Sequence, residues 1–352
     1  MTANELKQRF PENHIITDKL GGGSVMVYIE KFYLDDVIDG ASHIPHPAFI
    51  VDGKELDGIY ISKFQNVVVD GLAYSLPDLD PTTHVSFDKA DIACRAKGDG
   101  FHLMTASEWS AVALWCLKND SIPFGNNTDG KDVRESDYIA KLSFCDKERS
   151  IFRTSTGSGP VEWSHNGQSD GIYDLAANVW EWISGIRLVC GELQILPYNN
   201  AASQKYSLSE ISTDWRAING KTGEFIIPDG HGGTPNSVKL DFLDGCWTFV
   251  TDKITKSLDD FRFCNFADIS ADTSICDKAK ELLYSLTCLP TSSFTDSNVA
   301  FYANNGADER IPFRGGRWGQ GLNSGIFKSC FDDPRSFSGD AVGFRSAYYV
   351  AK

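Results

Sequence analysis

The chain lacks the patterns by which most chemistry announces itself. Its nine cysteines (Cys94, Cys116, Cys145, Cys190, Cys246, Cys264, Cys276, Cys288 and Cys330) are scattered singly. No two stand at the C-x-x-C spacing that closes a tetrahedral zinc site. An odd count without a framework leads to the expectation of a reducing site of synthesis and no structural disulfide. No H-E-x-x-H or Walker sequence is present, which removes the motif evidence for those metalloprotease and nucleotide-binding classes. Gly21-Gly22-Gly23 is not followed by the Lys-Ser/Thr of a phosphate loop and is expected to be a hinge. The seven histidines are dispersed and none follows His231. His43 and His46 straddle Pro45, off any common helical face, and are expected in a solvated loop. Apolar runs of membrane-spanning length are missing, as is a basic segment leading into an apolar one near the start. Neither membrane insertion nor export is therefore expected. Positive charge is also scarce: 33 Lys and Arg against 48 Asp and Glu give a net charge of −15. Binding phosphate backbones needs the opposite balance, so nucleic acid is not an expected partner.

What is present indicates an α+β fold with few helices and many loops. Residues 1–20 are polar and suggest an N-terminal arm or cap. Strand-like stretches follow at 24–34, 47–55 and 57–69, rich in β-branched and aromatic residues. Ser86 can cap a helix carrying Phe87, Ala90, Ala93 and Cys94. Thr105 and Glu108 form a capping box ahead of Trp109, Val112, Ala113 and Cys116, one face at i, i+3, i+4, i+7. Residues 120–170 are expected to be long surface loops. Ser274 is expected to start a helix with Ile275, Ala279, Leu282, Leu283 and Leu286 inward, stopped by Pro290. No internal repeat, heptad or low-complexity tract divides the chain.

Three groups are candidates for function. Asp174 and Glu181 flank a turn in GIYDLAANVWEW, where carboxylates among carbonyls suit a hard cation such as calcium. Cys330 is the lone thiol of residues 313–346, with Lys328 and Arg335 near it in sequence but no histidine base. Arg314 precedes Gly315 and Arg345 follows Gly343 by two residues, places where a guanidinium can fork onto carboxylates or carbonyls and pin the end of a loop.

Five segments in order, VSFDKADIACRAKG, FHLMTASEWSAVALW, GIYDLAANVWEW, FRGGRW and GFRSA, resemble the formylglycine-generating-enzyme branch of the C-type lectin fold. The resemblance covers roughly residues 24–352, with about 183–310 as an elaborated insertion. The domain is thus expected over 21–352. The resemblance implies calcium at the positions matching Asp174, Ala177, Val179 and Glu181, the first and last through side chains. Ala177 stands where the family pattern has glycine. The oxidases of this family carry two cysteines shortly after the R-G-G-S-W element. Here that region reads Gly319 to Gly325 without a thiol, so the copper chemistry of a cysteine pair is not expected.

The second functional group, the variable proteins of diversity-generating retroelements including phage tropism determinants, resembles this segment more closely. The shared elements are Arg314-Gly315-Gly316, Trp318, Gly321, Gly325, Phe327, Ser336, Ser338 and Gly343-Phe344-Arg345. Adenine-directed mutagenesis of Asn codons reaches Arg, Gly, Leu, Cys, Asp, Phe, Ala and Ser, but not Gln, Lys or Trp. Arg317, Gly319, Leu322, Cys330, Asp332, Phe337, Asp340 and Ala341 are reachable; Gln320, Lys328 and Trp318 are not. The resemblance therefore implies a non-catalytic protein with a variable surface of Arg317, Gly319, Gln320, Leu322, Lys328, Cys330, Asp332, Phe337, Asp340 and Ala341. Arg314, Gly315, Gly316, Trp318, Gly343, Phe344 and Arg345 are the fixed brackets of the variable region, about 314–345. The implied partner is a host-surface protein or glycan, with a homo-oligomer supplying avidity. The implied location is a phage tail after cytoplasmic synthesis, or otherwise the cytoplasm. Two alternatives stay open: an oxidase-type enzyme with relocated cysteines, and a fixed carbohydrate-binding or structural module.

Overall fold

The computed structural model describes residues 1–136 and 139–350. Few helices pack among three larger sheets in an α+β arrangement. The first sheet orders His14–Thr17, Gly23–Glu30, Gly58–Ser62, Ser346–Tyr348 and Phe101–Leu103, all antiparallel. Alternation along Gly23–Glu30 turns Val27 and Ile29 into the core and leaves Tyr28 and Glu30 exposed.

Residues 1–20 are not the expected arm. Thr2 and Glu5 form a capping box for the helix Ala3–Arg9, and His14–Thr17 adds an edge strand to the first sheet. Leu6, with Phe10 and Ile15, packs against Val25 and Phe64, so a few apolar residues in a polar stretch suffice to dock it. The loops expected over 120–170 also hold a hairpin, Leu142–Asp146 with Ile151–Thr154.

The helix Ala106–Lys118 has the expected capping box, and its Trp109, Val112, Ala113 and Cys116 are buried. The helix expected from Ser274 begins later, at Asp277–Ser285. Ser274 instead bonds Asp272 and Thr251, so its hydroxyl is not free to cap. His46 is likewise not solvated. It is fully buried, Nδ1 accepting from the Ala48 amide and Nε2 standing 3.1 Å from the Ser285 carbonyl.

Residues 183–310 build most of the third sheet. They also lay Arg262–Asn265 and Ala300–Ala303 onto the second sheet. Cys246 and Cys264 are disulfide-bonded, with Cα atoms 5.2 Å apart, against the expectation of none. The fold brings the two together from strands 18 residues apart in sequence, a proximity that cysteine spacing alone does not reveal.

The second sheet positions the site. Its order is Arg262–Asn265, Ala300–Ala303, Gly325–Phe331, Phe313–Gly315, Trp180–Trp182 and Val342–Phe344. Glu181 therefore pairs with Arg314 on one side and Gly343 on the other. Both ends of the 314–345 segment are fastened to the same central strand.

Candidate functional site

The arginine brackets are anchored in the core. Arg345 is fully buried where the chain crosses from the second sheet to the first. Its Nε and Nη2 donate to the two Glu181 oxygens at 2.9 and 2.8 Å, and it also donates to the Ser62 and Tyr173 carbonyls. Arg314, equally buried, donates to the Leu286 carbonyl at 3.0 Å, with the Thr287 carbonyl at 3.4 Å. Those are the unpaired carbonyls past the helix Asp277–Ser285, where a cation is favoured. Trp318 is buried against Ile151 and Val179 and donates Nε1 to the Ser150 carbonyl at 2.7 Å.

Gly315 and Gly316 begin the loop between the strands Phe313–Gly315 and Gly325–Phe331 with φ of +92° and +96°. A Cβ on Gly315 would stand 2.9 Å from the Leu175 carbonyl oxygen. Gly315→Ala combines left-handed strain with that backbone clash, so a stability loss of about 2–3 kcal/mol is expected in chemical denaturation.

Above this frame opens a cavity of about 440 Å³. The 314–345 segment contributes Arg317, Trp318, Gln320, Cys330, Asp333, Phe337, Gly339, Asp340, Ala341 and Val342 to its lining. The opposite wall is Arg149, Ser150 and Ile151 from the hairpin at 142–154. Trp180, Phe313 and Tyr302 supply aromatic surface. Tyr302 comes from the insertion, and its ring contacts Phe263 and Phe261, both more than half exposed. An aromatic ridge thus extends the cavity rim.

Sequence reasoning missed Arg149, Ser150, Ile151, Trp180, Tyr302, Phe313, Asp333, Gly339 and Val342. The first three had a usable signal: apolar residues on both sides of a polar turn at 142–154, the pattern of a hairpin.

Six of the ten expected surface positions line this one cavity: Arg317, Gln320, Cys330, Phe337, Asp340 and Ala341. Gly319 and Leu322 are exposed on the loop outside it. Asp332 is half-buried beyond the strand and does not line the cavity. Lys328 and Cys330 require correction as surface residues, because both are buried. Their strand is interior to its sheet, Phe327 and Phe331 fill the core on one face, and Lys328 and Cys330 lie on the other.

Lys328 Nζ donates to Gln320 Oε1 at 3.1 Å and stands 5.1 and 5.3 Å from the Trp180 and Tyr302 ring centres. Burial lowers its pKa to about 7. Burial, with Asp333 and Asp332 nearby, pushes the Cys330 thiol well above its ordinary value, which disfavours the reactive thiolate.

The oxygens assigned to calcium by the resemblance do not fit a cation here. Gln65 Nε2 already stands 3.2 Å from the Asp174 carbonyl, 3.3 Å from that of Ala177, 3.0 Å from that of Val179 and 3.0 Å from Glu181 Oε1. Its orientation is set by Asn178, whose Nδ2 donates to Gln65 Oε1 at 2.8 Å. Calcium would need those oxygens at about 2.3–2.6 Å, in space the amide fills. Both Glu181 oxygens also face Arg345. Asp174 directs its side chain elsewhere, Oδ2 accepting from the Gly157 amide at 3.0 Å and Oδ1 without a partner. Asp174 and Glu181 are therefore corrected from candidate metal ligands to members of an amide- and guanidinium-centred hub. Ala177 holds the turn at φ +68°, its amide donating to the Gly315 carbonyl at 3.0 Å.

Residues 42–188 match the family described as the Sulfatase-modifying factor enzyme 1-like domain. Among curated proteins, the chain is similar to the Inactive C-alpha-formylglycine-generating enzyme 2 of Mus musculus. They are 31% identical over 112 residues, 32% of this chain and 34% of that protein. The chain spans about a third of the length of the curated relatives it matches. Among solved structures, PvdO from Pseudomonas aeruginosa is 13% identical, with 96% of this chain and 98% of that one covered at a TM-score of 0.37. The Treponema denticola variable protein 1 is 12% identical, with 96% and 98% covered at 0.31. With its few helices and mixed sheets, and the domain match over 42–188, the chain has an α+β C-type lectin fold of the formylglycine-generating-enzyme type.

Proposed function

We propose that this chain is a non-catalytic ligand-binding protein whose 314–345 segment is diversified by a retroelement, and that it serves as a receptor-binding protein on a phage tail. The observation that carries the reading is a division within one segment. Five of the expected surface positions, Arg317, Gln320, Phe337, Asp340 and Ala341, line a single cavity and are at least partly exposed, while all seven bracket residues are buried. Side chains on a rim can change while the frame beneath stays fixed, since exposed substitutions usually alter stability by within about 0.5 kcal/mol. A non-catalytic role is supported by Cys330, a thiol that lines the cavity and whose thiolate form is disfavoured by burial. The mouse and bovine relatives, named as inactive formylglycine-generating enzymes, point the same way. The partner would be a host-surface protein or glycan. The ridge of Phe261, Phe263 and Tyr302 offers it a constant aromatic contact beside the variable cavity.

The deciding experiment is to sequence the DNA around the gene. A near-copy of codons 314–345, differing mainly at template adenines and close to a reverse-transcriptase gene, is the expected result. A genome with a single copy and no reverse transcriptase nearby overturns the diversification. Independently, serine at Arg317, Leu322, Phe337 and Ala341 together should leave the protein folded. Each change should shift stability by about 0.5 kcal/mol or less in urea unfolding.

A further inference from the structure

We infer that the cavity selects ligands presenting a single carboxylate on a flat or apolar body, with Arg317 and Lys328 as its anion-binding end. The inference rests on the binding role proposed above and names the class of ligand. It follows from which charges around the cavity are already matched. Arg149 is held by Asp146 at 2.7 Å and Asp340 at 3.0 Å, and Asp340 also meets His84 at 2.7 Å. Arg317 and Lys328 form no ion pair among the described residues. Their side chains meet neutral acceptors: the Trp318 carbonyl at 3.4 Å for Arg317, and Gln320 Oε1 at 3.1 Å for Lys328. Desolvated cations with only neutral partners are costly, and an arriving anion relieves that cost.

Gln320 marks where the anion goes. Its Oε1 accepts from the Arg317 amide at 3.0 Å and from Lys328 Nζ at 3.1 Å, so one neutral oxygen already bridges the two residues. A carboxylate oxygen is the same kind of acceptor with charge added. Lys328 is fully buried behind Gln320 and outside the cavity lining, so a ligand reaches it only when the partly buried Gln320 side chain swings aside. The walls suit a flat body, because Trp180 and Tyr302 lie on Lys328 and the Trp318 ring lies 5.5 Å from the Arg317 guanidinium. A second acid would meet Asp333, which lines the cavity on the Cys330 side, so one acidic group is favoured over two. Lys328 lies outside the reachable codon set and is buried. Lys328 would then be a constant half of the anion site, while Arg317, a reachable position, would set how strong the preference is in each variant.

The test is titration calorimetry of the full chain with two matched pairs, phenylacetate against phenylacetamide and glucuronate against glucose. At least one acid should bind about tenfold or more tighter than its neutral partner. Which pair discriminates more strongly tells an aromatic body from a sugar. Arg317→Ser and Lys328→Met should each reduce the preference about tenfold, with melting temperatures confirming that both fold. Gln320→Ala should strengthen binding of the acid by removing its competitor. Equal binding within both pairs, no binding of either acid, or an unchanged preference in Lys328→Met overturns the inference. None of these outcomes touches the diversification reading, which the neighbouring DNA decides separately.

Discussion

Glu181→Gln should cost the fold about 3–5 kcal/mol, read as a large drop in the urea midpoint with no change in its slope. The residue sits at the convergence of the whole site. It pairs through its backbone with both brackets, at Arg314 and Gly343. Its carboxylate takes two of the four hydrogen bonds donated by Arg345, and one of those oxygens also accepts from Gln65. Removing the charge leaves a buried guanidinium uncompensated at the point where the chain crosses between sheets. Replacing both partners by apolar residues, Glu181→Leu with Arg345→Met, should recover part of the loss, because neither charge is then stranded. If the hub is built on Gln65 and Arg345, chelators should leave the wild-type midpoint unmoved. A fall in that urea midpoint on adding EDTA would return these oxygens to a metal, and a Glu181→Gln loss below about 1 kcal/mol would overturn the ion-pair account.

Much of the frame was legible in the chain because local chemistry dictates it. The Thr105–Glu108 capping box, the buried face from Trp109 to Cys116 and the Gly-Arg brackets each depend on residues close in sequence or on a need for positive φ. The parts that were not legible depend on partners far along the chain. Gln65 lies 116 residues from Glu181, so no local pattern could show that an amide fills the expected cation position. Tyr302 and the hairpin at 142–154 become cavity walls only once the sheet has formed. Lys328 is polar and was placed at the surface. Its burial follows from the insertion, which lays Ala300–Ala303 beside its strand and makes that strand interior. The residue types of 314–345 marked the segment, and the packing beneath decided which of its positions line the cavity.

Asp174→Asn should make the protein more stable at pH 8, by about 2 kcal/mol, with the advantage vanishing near pH 4. Burial pushes the Asp174 carboxyl up from its ordinary 3.8 to about 6, with Glu181 adding to the rise against the Gly157 amide and Arg345. Because the folded value is raised, the folded state holds the proton more tightly than the unfolded chain. Its stabilising effect is complete below pH 3.8 and is lost as pH rises through 6. Above that, the gap costs about 3 kcal/mol. Asparagine cannot ionise and keeps an oxygen for the Gly157 amide. It also tolerates the left-handed φ of +62°. Its amide nitrogen takes the place of an oxygen that has no partner, returning about 1 kcal/mol of desolvation cost. Urea midpoints of both proteins across pH 4–8 measure the difference. A calcium ligand at this position would give the opposite sign, with the variant weaker at pH 8 and the wild type sensitive to chelators. Equal stabilities at pH 8 would mean that the carboxylate is compensated in some other way, and the account of the hub would fail.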